Sequence, residues 1–172
     1  IKSPAPDIPS NFVCVAQAIG DLPALKAGER GEDCKEYATD AQCDYQKALR
    51  RGSPGVFNHE APRLSPINLQ RLQYIKPGGN WTDIPHELLP KGMKAARKSD
   101  HTKRYGRLTP EGLASTILTK CDPHWGAYFH YKQDRSLTVR EAARIQSFPD
   151  HYIFYGSQQE QFDQDGNAVP PL

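Results

Sequence analysis

The sequence predicts an α/β protein assembled from many short elements, and three observations predict it. Fifteen prolines and thirteen glycines are spread over 172 residues. Proline removes a backbone donor and glycine opens positive φ, so regular elements are interrupted before they grow long. Residues 113–119 and 126–130 are rich in β-branched and aromatic side chains and flank Asp122-Pro123-His124, the pattern of two antiparallel strands joined by a turn. Residues 138–146 open with Thr138 and place Glu141 three positions on, the spacing at which the two side chains cap each other's backbone donors at a helix start.

The other elements follow in order. Residues 11–25 read as a helix with Val13, Val15, Ala16 and Ile19 apolar, closed by Gly20 ahead of Asp21-Leu22-Pro23. Residues 27–33 are polar and form a loop, and 36–51 read as a second helix, stopped by Gly52-Ser53-Pro54. Ser65-Pro66 opens a third in the manner of an N-cap serine followed by a proline at the first helical position, with Ile67, Leu69, Leu72 and Ile75 facing the core. Lys76-Pro77-Gly78-Gly79-Asn80 breaks it, and 81–89 is a turn-rich packing segment. In the 138–146 helix, Leu137, Ala142 and Ile145 supply much of the apolar face, and Phe148-Pro149-Asp150 ends it. Trp81, Tyr152, Phe154 and Tyr155 are expected to serve in core or hinge packing.

Composition narrows the class. With 37% hydrophobic and 24% charged residues the chain is too apolar for disorder, and its length suits one domain or part of a larger one. No apolar run is long enough to span a membrane and no signal peptide is present, so neither a membrane partner nor an oxidising compartment is expected. Cys14, Cys34, Cys43 and Cys121 form no C-x-x-C pair. A reduced compartment fits them best, with disulfide pairing among the first three as the lesser alternative. Cys121, His124 and His130 lack a fourth ligand at zinc spacing, so no metal is expected.

The net charge of +2 excludes nothing by itself, but its distribution is uneven. Lys91, Lys94, Arg97, Lys98, Lys103, Arg104 and Arg107 stand against the single acid Asp100, while the rest of the chain is net acidic. Such a run is commonly a solvated face. It also suits phosphate neutralisation. No internal repeat or low-complexity tract is present.

The stretch Arg135-Ser136-Leu137-Thr138-Val139-Arg140-Glu141-Ala142-Ala143-Arg144-Ile145-Gln146-Ser147-Phe148-Pro149-Asp150 resembles the ninth sequence motif of cytosine-C5 DNA methyltransferases nearly residue for residue. Gln164-Asp165-Gly166-Asn167-Ala168-Val169-Pro170-Pro171 resembles the tenth. The region from Tyr105 to Ile117 is similar to the target-recognition region, where a Thr-Ile pair sits on a strand facing DNA, and Ala18 to Pro23 resembles its lead-in. One departure stands out: Asp165 occupies a position that is usually aliphatic in the family, beneath the Gly166-Asn167 turn, where burying an unpaired carboxylate is costly. Either a local shift exposes Asp165 or affinity for the methyl donor is weakened.

The resemblance implies an α/β S-adenosylmethionine-dependent methyltransferase fold. This chain would hold its C-terminal portion, with a small mixed α+β target-recognition lobe of short strands and loops. Residues 1–134 would be the recognition region and its lead-in, and 135–172 the returning helix and tenth-motif segment of the catalytic domain. By resemblance, Asn167, Ala168 and Val169 border the S-adenosyl-L-methionine pocket. Lys103, Arg104, Arg107, Thr116 and Ile117 approach double-stranded DNA. Arg135, Thr138, Arg140, Glu141, Arg144 and Gln146 form the structural motif, with helix ion pairs as the expected role of Arg140, Glu141 and Arg144.

The reaction needs a thiolate to attack cytosine carbon 6 and a Gly-rich donor loop. The family's thiol lies in Pro-Cys-Gln, a context that none of the four cysteines has, and Gly78-Gly79 follows a helix rather than a strand. No catalytic residue is therefore assigned here. The catalytic half is expected upstream, in the same enzyme or on a separate subunit, both ends of this chain reading as cuts. The resemblance leans toward bacterial modification enzymes, cytoplasmic and nucleoid-associated, rather than large eukaryotic ones. The alternatives are a DNA-binding subunit of a split methyltransferase and a non-catalytic DNA-binding module. A tRNA-directed relative fits less well, because its recognition region would be shorter. The apolar face of the 138–146 helix is expected to lie bare until the catalytic domain covers it, leaving the segment weakly stable alone.

Overall fold

The computed structural model describes residues 12–30, 33–119 and 121–171. Its helices are α1 (Val15–Ile19), α2 (Asp44–Arg50), α3 (Pro66–Leu72), α4 (Val139–Ile145) and α5 (Gln158–Asn167), with single 3-10 turns at Trp81–Asp83, His86–Leu88 and Lys91–Met93. Asn11, the first residue of the first predicted helix, lies outside the described residues. The first two helices are shorter than expected. Residues 35–39 are occupied by tertiary partners, Lys35 bridging Val56 and the Ala38 amide donating to the Asp21 carbonyl at 3.2 Å, so this backbone is unavailable to a helix.

The expected hairpin of 113–119 with 126–130 does not form, and the described residues contain only isolated β-bridges. The segment around Phe129 is extended, but it pairs elsewhere. Phe129 donates to the Gly106 carbonyl at 3.1 Å and accepts from the Leu108 amide at 3.0 Å, while the Tyr128 carbonyl accepts from the Leu137 amide at 2.9 Å. A side chain replaces the ladder on the other flank: the Tyr128 hydroxyl accepts from the Leu118 amide at 3.2 Å and donates to the Thr116 carbonyl at 2.9 Å. Strand propensity in 113–119 is overridden by one phenol.

Two apolar clusters organise the chain. The larger gathers Ile19, Leu22, Tyr128, Leu137, Val139, Ala142 and Phe162. The second gathers Leu72, Ile75, Trp81, Met93, Tyr105 and Phe129. Within α3, Leu72 is buried and Leu69 half-buried, but Ile67 faces solvent, against expectation.

Helix α4 is the centre of the larger cluster, packed against α1 and α5. Val139, Ala142 and Ala143 are fully covered by this chain's own residues. The expectation of a bare apolar face is therefore overturned, and with it the reason to expect a weakly stable segment. Its cap forms as the spacing predicts: the Thr138 hydroxyl accepts from the Glu141 amide at 3.1 Å and the Glu141 carboxylate accepts from the Thr138 amide at 2.8 Å. Thr138 Oγ1 also lies 3.0 Å from Nδ1 of the buried His59. Thr138→Ala is expected to lower unfolding free energy by about 1 to 2 kcal/mol, with Thr138→Ser largely neutral, as read by urea denaturation.

Residues 164–167, expected to hold a Gly-Asn turn, are instead the end of α5, which Ser157 and Glu160 cap at its start. Gly166 is required there because an added Cβ would sit 2.5 Å from Thr119 Cα and 2.7 Å from the Leu118 carbonyl carbon.

Candidate functional site

Beneath the surface lies a set of buried ions on and around α4. Arg135 donates to both oxygens of Glu141, at 2.8 and 2.7 Å. Arg144 donates to Asp21 at 2.6 Å and, through two nitrogens, to Asp150 at 2.9 and 2.6 Å. Asp21 also receives Arg50, and the Tyr37 hydroxyl donates to Asp150 at 2.7 Å. Arg140 donates to the Phe57 and Pro149 carbonyls at 3.0 and 3.1 Å. Gln146 Nε2 donates to the Asp165 carbonyl at 2.6 Å, tying α4 to α5.

The helix pairs expected among Arg140, Glu141 and Arg144 are not what forms: Glu141 pairs with Arg135, and Arg144 with Asp21 and Asp150. The expected exposure is corrected too, since Arg135, Arg140, Glu141, Arg144, Asp21 and Asp150 are each 0% exposed. Burial alone would raise the Glu141 carboxyl, yet Arg135 holds it well below the usual carboxylate range. Burial likewise opposes the charge on Arg144, and Asp150 and Asp21 more than restore it. Nearby His130 is pushed down to about 4 by burial and stays neutral. Sequence reasoning missed Asp21, Asp150 and Tyr37 as partners. Asp150 closes the ninth motif and Asp21 lies in the Ala18–Pro23 lead-in, but nothing in either stretch joins Asp21 to Arg144, 123 positions away.

Above this base runs the basic segment. Lys91, Lys94, Arg97, Lys98 and Lys103 are exposed, and the backbone beneath them is pinned by buried Met93 and Trp81. The indole of Trp81 donates to the Asp100 carbonyl at 3.2 Å and its amide to the Arg104 carbonyl at 3.1 Å. Arg104 is half-buried, its guanidinium 4.8 Å from the centre of the Trp125 ring.

Two residues expected at DNA are engaged by this chain's own side chains. Arg107 is ion-paired with Asp134 and its side chain is only 11% exposed, so its charge is already committed. Ile117 is 5% exposed in the larger cluster, between exposed Thr116 and Leu118. Thr116 is exposed. A depression of about 100 Å³ lined by Gly78, Gly79, Lys103, Arg107, Leu113 and Ser115 joins the basic segment to residues 113–116.

Asp165 is 0% exposed and neither carboxylate oxygen has a hydrogen-bond partner. Of the two alternatives for it, exposure is excluded. Burial pushes it up to about 7, with the Arg140 charge pulling the other way. Cys121 is buried and its thiol is raised well above the ordinary range, the opposite of an activated nucleophile. All four cysteines are free thiols. Among the described residues no three His, Cys, Asp or Glu side chains converge as a metal site, and no helix is long and apolar enough to cross a membrane.

The residues expected to border the methyl donor do not make a pocket by themselves. Val169 is 86% exposed, Asn167 is exposed at the end of α5, and Ala168 packs against the larger cluster. They offer an open edge rather than an S-adenosylmethionine site.

Comparison with known proteins matches this chain to one family. The family profile of the C-5 cytosine-specific DNA methylases matches residues 28–172. DNA (cytosine-5)-methyltransferase 1A of Oryza sativa subsp. japonica is 36% identical over 99% of this chain and 12% of its own length. The Type II methylase M.HgiDII of Herpetosiphon aurantiacus is 41% identical over 67% of this chain and 34% of its own. The Type II methyltransferase M.DdeI of Desulfomicrobium norvegicum is 34% identical over 100% of this chain and 43% of its own. A solved structure of a putative DNA modification methyltransferase encoded within an E. coli prophage superposes with a TM-score of 0.59 at 21% identity, over 91% of this chain and 42% of that one, and shows the shared fold. Plant and bacterial identities overlap, so the expected leaning toward the bacterial branch is not seen. The chain spans about an eighth of the plant enzyme and less than half of the bacterial ones. On the match over residues 28–172, the chain belongs to the C-5 cytosine-specific DNA methylase family.

Proposed function

We propose that this chain is the DNA-recognition and C-terminal part of a DNA (cytosine-5)-methyltransferase, acting on specific double-stranded DNA with S-adenosyl-L-methionine as donor. The observation that carries the reading is the exposed basic segment fixed on the Trp81 cluster and joined through Phe129 to the buried ionic base of the ninth motif. Lys91, Lys94, Arg97, Lys98 and Lys103 neutralise phosphates and set register, while side chains around Thr116 and Ser115 meet the groove. Residues 1–134 carry recognition and 135–172 hold the lobe against the catalytic domain.

Because no cysteine has the Pro-Cys-Gln context, the attacking thiol and most of the donor pocket belong to residues outside this chain. Asn167, Ala168 and Val169 give that pocket one edge. The Type II relatives support a place in a restriction-modification system.

The test is transfer of labelled methyl groups from S-adenosylmethionine to duplex DNA by the full-length protein, with the label located on cytosine carbon 5. Lys94→Gln with Lys98→Gln is expected to weaken DNA binding and to flatten the log affinity against log salt line by about two. Label on another base, or a salt slope untouched by both substitutions, overturns the reading.

A further inference from the structure

Trp125 is 53% exposed, yet it is among the most firmly held residues of its loop. Its amide donates to the Asp122 carbonyl at 2.9 Å, the His124 amide to Asp122 Oδ1 at 2.8 Å, and the Tyr105 amide to the Pro123 carbonyl at 2.6 Å. Gly126 follows directly and is locked, since a Cβ there would lie 2.5 Å from the Tyr128 ring. Rings then step inward from the surface: Trp125 to His124 at 5.2 Å, His124 to Tyr105 at 5.6 Å, Tyr105 to Phe129 at 6.2 Å, with the Tyr105 hydroxyl 3.1 Å from His124 Nδ1. A single exposed aromatic is ordinary on a protein surface. One fixed in direction by a ring ladder, with a guanidinium 4.8 Å over its face and Lys103 next in sequence to that arginine, is pre-organised for an anionic partner with apolar surface.

We propose that Trp125 and Arg104 are a DNA-contacting pair at the edge of the basic segment, the indole packing on the apolar side of a backbone deoxyribose and the guanidinium on the adjoining phosphate. The proposal rests on the DNA-recognition reading above. Duplex DNA is the occupant that the charge selects, because exposed Arg97, Lys98 and Lys103 together with Arg104 outnumber the exposed acids Asp100 and Asp122. Arg104 needs little side-chain ordering on binding, being already held on the ring. The pair therefore separates two contributions that are usually mixed: Trp125 adds salt-independent contact area, and Arg104 adds a salt-dependent phosphate contact.

The test uses the full-length protein and a fluorescein-labelled duplex of mixed sequence, titrated at several salt concentrations. Trp125→Ala is expected to weaken binding about tenfold with the salt slope unchanged, and Trp125→Phe to recover most of the loss. Arg104→Gln is expected to weaken binding and lower the slope by about one. Full affinity in Trp125→Ala alongside weakened binding in Lys98→Gln overturns the pair and leaves the recognition reading standing. Full affinity in both overturns the two together. Hydroxyl-radical footprinting of the unsubstituted protein needs no variant to fold: DNA is expected to protect the Trp125 side chain, and equal oxidation with and without DNA overturns the proposal.

Discussion

Arg144→Ala is expected to lower the unfolding free energy by about 3 to 5 kcal/mol, enough to leave much of the protein unfolded. The guanidinium is 0% exposed and balances two carboxylates that are also 0% exposed, Asp21 at 2.6 Å and Asp150 at 2.6 Å. Removing it leaves Asp21 with Arg50, and Asp150 with Tyr37 and a longer 3.9 Å approach to Arg140. The loss arises from stranded charge rather than from the worth of the pair, because replacing a whole buried ionic group by apolar residues is often neutral. Arg144→Lys keeps the charge but not the fork that spans Asp21 and Asp150, and is expected to recover only part of the stability. Chemical denaturation of the three proteins checks this, and a loss below about 1 kcal/mol in the alanine variant would show that the network is dispensable.

Asp165→Leu is expected to act in the opposite direction and raise stability by about 2 to 4 kcal/mol at pH 8. The carboxyl is pushed up to about 7 in the folded protein, whereas an unfolded aspartate titrates at its ordinary value of 3.8. A raised folded value means that the native state holds the proton more tightly. The contribution of this group is thus complete below pH 3.8 and is lost as pH rises toward 7, leaving an unpaired buried anion above that. His130, pushed down to about 4, has the other sign: its contribution is complete above 6.5 and is lost as pH falls toward 4. The two overlap between pH 4 and 7, so the difference between wild-type and Asp165→Asn melting curves isolates Asp165. That difference should grow with pH and level off near 8. A flat difference would show that Asp165 finds a partner.

The ninth motif was legible because its chemistry is local. Thr138 and Glu141 lie one helical turn apart, so the cap follows from spacing alone. That Glu141 and Arg144 form ion pairs was legible, but neither their partners Arg135, Asp21 and Asp150 nor their burial was, since both depend on segments outside the helix, with α1 and α5 arriving from positions distant in sequence. The 113–119 strand failed for a related reason. Its β-branched residues carry the propensity, yet the Tyr128 hydroxyl takes the hydrogen bonds that a neighbouring strand would have taken, and no pattern within 113–119 announces that. Ile117 then followed the real geometry into the core. In the candidate interface, the basic segment was visible as composition, whereas the withdrawal of Arg107 to Asp134 and the exposure of Trp125 needed coordinates.

The separation of the two apolar clusters makes the surface charges and the buried ones independent of each other. Substitutions among Lys91, Lys94, Arg97, Lys98 and Lys103 touch neither the Arg135–Glu141 pair nor the Arg144 network, since these side chains point to water from a scaffold of their own. Charge on that outer face can therefore be changed without stranding an ion in the buried network. Surface and foundation are in this sense separately adjustable, sharing no ion-pair partner.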